Sequence, residues 1–396
     1  MRQKTLQANI WKYGVHLITN KRSYLSILGV YLLTLPGTTP QTVGLMLLAG
    51  NIAGFLFEIP SGYFADMVGH KTALVVGRVA LLASSLAFLV GGEVFMFILG
   101  AVLMSIGMAF QSGTGAAFMH ETLRALGREN EYSKIMGRLK SLGFAVPIAL
   151  IMLVPFLVGI SFKLPFVIAV VIDCIGLLVV ASYAIPPVGP SRIQEIGVRT
   201  FWRTLREGWD KGFLRYALFV GILAGTITAV SGFKDVYQAF LGVPIIYFGV
   251  FWGLSRVLVS FFLLFNQTIK RFFTFHQFLF FRLLSAVALI LALGIVSVPY
   301  VIVALFIFIA AFNWSTESVK EHYLLEIIGN SSSKATLLSV CSQISFFATA
   351  LVAYLVGALA ASFGYAAGFV VAAGLLFLAL LPLYLFIVVN KVSRRS

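Results

Sequence analysis

The sequence predicts an all-α integral membrane protein of twelve transmembrane helices in two six-helix half-bundles. Its composition, the placement of its basic residues and an internal repeat carry that prediction. Of 396 residues, 60% are hydrophobic and 11% charged, against roughly 45–50% apolar in a soluble domain; mean hydropathy is +0.99. Apolar runs recur along the whole length, each near the ~20 residues that a helix needs to cross a ~30 Å hydrocarbon core. The runs are continuous, whereas strands of a membrane barrel would alternate.

In order, the expected spans are 11–35, 39–64, 71–90, 94–118, 135–158, 164–186, 213–240, 244–268, 274–293, 298–320, 333–360 and 363–389. Most are apolar runs bounded by charged residues, Gly or Pro, with a few ionisable residues inside. The net charge of +15 follows this plan. Arg2, Lys4, Lys71, Arg124, Arg128, Lys134, Arg192, Arg199, Arg203, Arg206, Lys211, Lys270, Arg271, Lys391, Arg394 and Arg395 fall on one side, and only Lys163 falls in the opposite loops. Lys/Arg bias in short loops sets orientation, which places both termini in the cytoplasm; the cell (inner) membrane is the expected location. The basic charge is therefore topological, and no nucleic-acid partner is expected.

The polar stretch 187–214 divides the chain into an N-terminal half (1–188), a linker (189–212) and a C-terminal half (213–396). Phe201, Trp202, Leu205 and Trp209 recur there at helical spacing, with Arg199, Arg203 and Arg206 off that face, as in a helix lying on the inner membrane surface. The halves align at an offset of 202 residues, pairing Phe110 with Phe312, Gln111 with Asn313, His120 with His322 and Gly127 with Gly329. This matches span 4 to span 10, as a parallel repeat requires. Cys174 and Cys341 lie in separate apolar runs and read as small buried hydrophobes, with no disulfide. No cleavable signal is evident, so the first span should remain as an anchor.

Against this frame the run "FEIPSGYFADMVGHK" between spans 2 and 3 becomes legible. Gly62, Asp66, Gly69, His70 and Lys71 stand at the spacing glycine, three residues, aspartate, two residues, glycine, two basic residues. The loop resembles the signature loop of the major facilitator superfamily, and Glu58-Ile59-Pro60 before it resembles a subset of bacterial exporters. The resemblance implies the twelve-helix facilitator fold and a secondary transporter of a small organic solute, working by alternating access as proton-coupled efflux. It also implies a monomer without a cofactor, and gives Asp66 the role of latching the cytoplasmic side against the second half. An aspartate at the inner rim can face the positive end of another helix, and Ser331, Ser332 and Ser333 at the start of span 11 offer such an end.

The sequence departs from the family pattern in three places. The matching second-half loop keeps Lys270 and Arg271 but lacks the aspartate and glycines. "GTGAA" at 113–117 resembles a facilitator motif whose proton-coupling arginine would fall at Ala109. The fifth span has Gly137, Gly143 and Pro147 without an adjacent Gly-Pro pair. Uptake or uniport of a metabolite is thus the alternative, with a transport-like receptor a more distant one. An enzyme is not expected, for no Walker loop, metal-ligand cluster or large polar domain is present.

Ionisable residues inside spans are costly and become functional candidates. The apolar run from Tyr24 to Leu35 covers only about 18 Å, so span 1 should extend back through His16 and carry Asn20, Lys21 and Arg22 below the membrane surface. Arg22 could attract an anionic substrate, pair with Glu58, or snorkel. Arg256 lies about 18 Å into span 8 and is the strongest candidate for a cavity charge. Asp173, in the peripheral sixth span, reads as a packing residue. Lys234 and Asp235 are adjacent and should face apart on a helix, leaving Asp235 and Gln238 as the joint surface of an outer gate or proton-accepting acid; an interfacial charge pair is the alternative. Glu317 stands with Lys320 and Glu321 near the inner end of span 10, while Gln111 and Asn313 are repeat-matched amides for substrate or helix packing. His120 and His322 make no metal site.

Overall fold

A computed structural model of the chain describes residues 2–187, 206–210, 212–263, 265, 271–329 and 334–392. Among them every regular element is helical. The expected linker residues 189–205 and Lys211, and Lys270, Ser331 to Ser333 and the basic Arg394 and Arg395, lie outside the described residues. Eleven helical stretches among the described residues are long and apolar enough to cross a membrane.

The helices are α1 (Arg2–Thr19), α2 (Leu28–Leu33), α3 (Pro40–Val68), α4 (His70–Val90), α5 (Val94–Gln111), α6 (Thr114–Ala125), α7 (Tyr132–Val158) and α8 (Leu164–Ala181). They continue as α9 (Phe213–Ser231), α10 (Lys234–Phe240), α11 (Phe248–Leu263), α12 (Phe275–Ile295), α13 (Pro299–Ser315), α14 (Glu317–Ile328), α15 (Lys334–Phe363) and α16 (Tyr365–Val392). Several expected spans are broken. The first divides into α1, a 3-10 turn at Ser23–Ser26 and α2. The fourth breaks between α5 and α6 at Gly113, whose φ of +69° suits a residue without a Cβ. The seventh breaks between α9 and α10.

The chain forms two compact units, Met1–Tyr31 with Ala53–Ile196, and Leu32–Ile52 with Gly197–Ser396. Residues 32–52, which the sequence reading assigns to the N-terminal half, cluster with the second unit. A close helix crossing accounts for this: a Cβ on Gly44 of α3 would stand 2.7 Å from the Ala353 carbonyl oxygen of α15, and one on Gly357 would stand 2.7 Å from that of Pro40. Small residues let membrane helices approach to backbone contact, where packing and weak polar contacts replace the hydrophobic drive.

In the first unit, Tyr13, Leu74, Phe118, Met119, Leu139 and Tyr183 bring α1, α4, α6, α7 and the end of α8 into one core. The rings of Tyr24, Phe88 and Phe166 meet beside it at centroid separations of 5.2 to 6.0 Å. In the second unit, Gly225 of α9 packs so closely on α15 that a Cβ would stand 2.6 Å from the Ser345 carbonyl oxygen. Tyr237, Phe306, Tyr365 and Phe369 form the aromatic contact that seats α10.

Cys174 departs from expectation: it is exposed, while Cys341 is buried. Asp173 takes the inward position on α8, and at 3.6 residues per turn its neighbour is rotated away from that contact.

Candidate functional site

Four polar groupings interrupt the apolar interior, two in each unit. The first is the loop between α3 and α4. Gly69 is its whole linker, with φ +98°, and the chain turns there because an L side chain rarely adopts that conformation. His70 lies 3.2 Å from Glu121 of α6, and Lys71 donates to the Tyr183 carbonyl oxygen at 2.9 Å. Lys71 is therefore tied to the end of the sixth span rather than freely solvated. Gly62 and Asp66 are exposed. Glu58, about three turns before Gly69 on α3, is half-buried and accepts from the Ser112 hydroxyl at 3.2 Å.

The second grouping arises from the break in span 1. Where α1 ends at Thr19, its last carbonyls run short of backbone partners, although the Asn20 N–H still donates to the His16 oxygen at 3.0 Å. Arg78 of α4 binds this end: Nη2 donates to the His16 carbonyl oxygen at 2.5 Å and Nη1 to that of Thr19 at 3.1 Å. Nη2 also reaches the Thr19 hydroxyl at 2.9 Å and faces His16 Nδ1 at 3.0 Å. Arginine has no acceptor, so His16 accepts at Nδ1 and carries its proton on Nε2.

Arg22, just past the break, pairs with Asp173 of α8 and not with Glu58. Its Nη1 donates to Oδ1 at 2.7 Å and Oδ2 at 2.6 Å. Ser85 adds a bond to Oδ2 at 2.6 Å, and Arg78 Nη1 stands 3.9 Å from Oδ1. The pair is buried, so Arg22 does not snorkel and Asp173 is more than a packing residue. One carboxylate thus serves two guanidinium groups.

The third grouping is in the second unit, around α10. The expectation that Lys234 and Asp235 face apart fails: Lys234 Nζ donates to Asp235 Oδ2 at 2.9 Å. The helix break at Gly232 and Phe233 puts both residues in the first turn of α10, where long side chains can fold back. Trp252 of α11 donates from Nε1 to Asp235 Oδ1 at 3.4 Å. Lys234 Nζ sits 3.7 Å from the Trp252 ring centroid, a cation–π arrangement. Gln238 is buried beside this pair on α10. Arg256, half-buried at the middle of α11, stands with Cζ 5.1 Å from the Trp314 ring centroid.

The fourth surrounds Arg282 of α12, which is buried and donates to Asn313 Oδ1 at 3.1 Å. Glu317 lies close enough to act on Arg282 electrostatically and is paired with Lys320 one turn along α14. The repeat-matched amides each bond to the preceding span, through different groups. Gln111 Nε2 donates to the Leu74 carbonyl oxygen of α4 at 3.1 Å, linking spans 4 and 3, as Asn313 links spans 10 and 9. His120 and His322 pair with Glu129 at 3.2 Å and Glu326 at 2.7 Å. Among the described residues no group of three or more His, Cys, Asp or Glu side chains could hold a metal ion.

Arg78 and Arg282 are absent from the candidates named from sequence, yet they are the two largest fully buried side chains. Each is a lone arginine inside an apolar run, the same signal that marks Arg256.

Helices of membrane-crossing length with ion pairs closed inside them define a polytopic membrane protein. The sequence profile of the Major Facilitator Superfamily matches residues 17–319, and the chain belongs to that superfamily. It is a transporter and not an enzyme. Solved structures similar to it include a mutant form of the nucleoside transporter NupG (TM-score 0.79, 14% identity, covering 96% of this chain and 99% of that one). A bacterial homologue of the human lysosomal transporter Spinster, inward-facing and unoccupied, matches with TM-score 0.72 and 13% identity over 97% and 96% of the two chains. A POT family transporter in complex with a thioalcohol-conjugated peptide matches with TM-score 0.70 and 14% identity over 98% and 96%. At these identities the likeness is one of fold. No curated protein sequence matched significantly.

Proposed function

We propose that the protein is a secondary active transporter that exports a small organic solute from the cell by alternating access, in exchange for protons, acting as a monomer in the cell membrane with both termini cytoplasmic. Family membership supports the transport reading, and the exporter-like run at Glu58 to Pro60 supports the direction. Glu58 carries the coupling proposal. It is a half-buried carboxylate that accepts from one neutral hydroxyl, that of Ser112, at 3.2 Å, so protonation costs it no ion pair. Asp235, Glu317 and Asp173 each face a cation, and protonating any of them would forfeit one.

Asp66 is the proposed cytoplasmic latch. It is exposed at the inner end of α3, next to the basic residues that fasten α4 to its own unit. Asp66→Asn should raise the labelling rate of a single cysteine placed near the start of span 11. Unchanged labelling would count against the latch.

Uptake or uniport is the second reading, and Ala109 favours it. This is where the family motif has its proton-coupling arginine, yet Ala109 is buried and its carbonyl oxygen accepts from Ser61 at 3.1 Å. In reconstituted vesicles, exchange gives solute movement that abolishes an imposed proton gradient, and Glu58→Gln removes the proton movement. Uniport gives solute movement indifferent to the gradient in both proteins.

A further inference from the structure

Lys234, Asp235, Trp252, Arg256 and Trp314 belong to one connected surface of the second unit, contributed by α10, α11 and α13. Trp252 and Arg256 are four residues apart on α11, so they share a helix face. Both oxygens of Asp235 are engaged, one by Lys234 at 2.9 Å and the other by the Trp252 indole at 3.4 Å. Arg256 lies near enough to Lys234 for the two cations to repel. With two cations and one carboxylate, the surface carries one excess positive charge.

Arg256 holds that excess. Its guanidinium stands against the Trp314 ring, Cζ 5.1 Å from the centroid, and an aromatic neighbour supplies no carboxylate for its five N–H donors. Among the described residues no carboxylate stands within ion-pair distance of it. An unpaired arginine halfway along a membrane helix is costly, and such residues mark ligand pathways. Trp314 is 53% exposed, so part of its indole is open beside Arg256.

We propose that this surface binds an organic anion with a flat apolar body, its carboxylate taken by Arg256 and its body laid against Trp314. The surface disfavours a cationic ligand, because its net charge is positive. This deepens the transport reading by naming the substrate class of a site on the second unit, and it rests on that reading only for the movement that follows binding.

Equilibrium dialysis of the detergent-purified full chain against phenylacetate, 2-phenylethanol and phenethylamine tests the proposal, with empty micelles subtracted. These probes share a body and differ in charge. Phenylacetate should bind about tenfold or more tightly than the alcohol, the effect of one charge-assisted hydrogen bond, and the amine should bind weakest. Arg256→Gln should erase the difference between acid and alcohol, while Arg256→Lys keeps part of it. Equal affinities, a preference for the amine, no binding of the acid, or a preference for the acid that survives Arg256→Gln would overturn the proposal. If Arg256→Gln fails to fold, the ranking in the unaltered protein decides. Flux of a neutral solute into vesicles without preference for the acid would sink this site and leave the transport reading intact. Binding of phenylacetate without any flux would do the reverse.

Discussion

At the scale of single residues, the interior is organised by arginines that would each be prohibitive alone. Asp173 holds two of them, Arg22 directly and Arg78 at 3.9 Å. Removing its charge would leave both cations buried and uncompensated, a change that typically costs about 3–5 kcal/mol. Asp173→Asn should therefore lower the thermal unfolding midpoint of the purified protein sharply. Adding Arg22→Gln should recover part of the loss, since the double variant buries one stranded cation fewer. A double variant less stable than Asp173→Asn alone would refute the shared-carboxylate account.

The presence of these charges is legible in the sequence, for a lone charge in an apolar run is visible without coordinates, as Arg256 illustrates and as Arg78 and Arg282 equally permit. Their partners are not legible. Arg22 and Asp173 are 151 positions apart, and nothing local distinguishes Asp173 from Glu58 as the acid that meets Arg22. Lys234 and Asp235 mislead for another reason: adjacent residues face apart along a continuous helix, but the break before α10 puts both in its first turn.

At the scale of helices, close crossings depend on missing side chains. Gly225 against Ser345 and Gly44 against Ala353 admit no Cβ without displacing backbone. Overpacking of this kind costs typically 1–3 kcal/mol. Gly225→Val and Gly44→Val should each reduce thermal stability by about that much, whereas Gly374→Ala, with nothing within 4 Å of the added carbon, should not. Equal effects at all three positions would mean that the crossings are looser than described. The runs that make the helices are plain in the sequence because hydropathy over about 20 residues is a strong signal. The breaks are harder to see. Gly113 and Gly232 sit at two of them, yet other glycines, such as Gly225, lie inside uninterrupted helices. The end of α1 is set by Arg78, a residue 59 positions away from Thr19.

At the scale of the molecule, superfamily membership explains why a chain with so few charges places some of them inside its helices. The amides that the sequence offset pairs each bond to the preceding span, Gln111 to span 3 and Asn313 to span 9. Its departures also carry information: the loop at Gly62 to Lys71 has no second-half counterpart, and the Arg256 surface belongs to the second unit. Proton-coupled export is the central claim, and proton release from acidified inside-out vesicles, followed with a pH-sensitive dye during addition of a broad compound panel, tests it most directly. Exchange predicts compound-dependent loss of the gradient, absent from empty vesicles and from vesicles carrying Glu58→Gln. Solute entry that leaves the gradient untouched would contradict it.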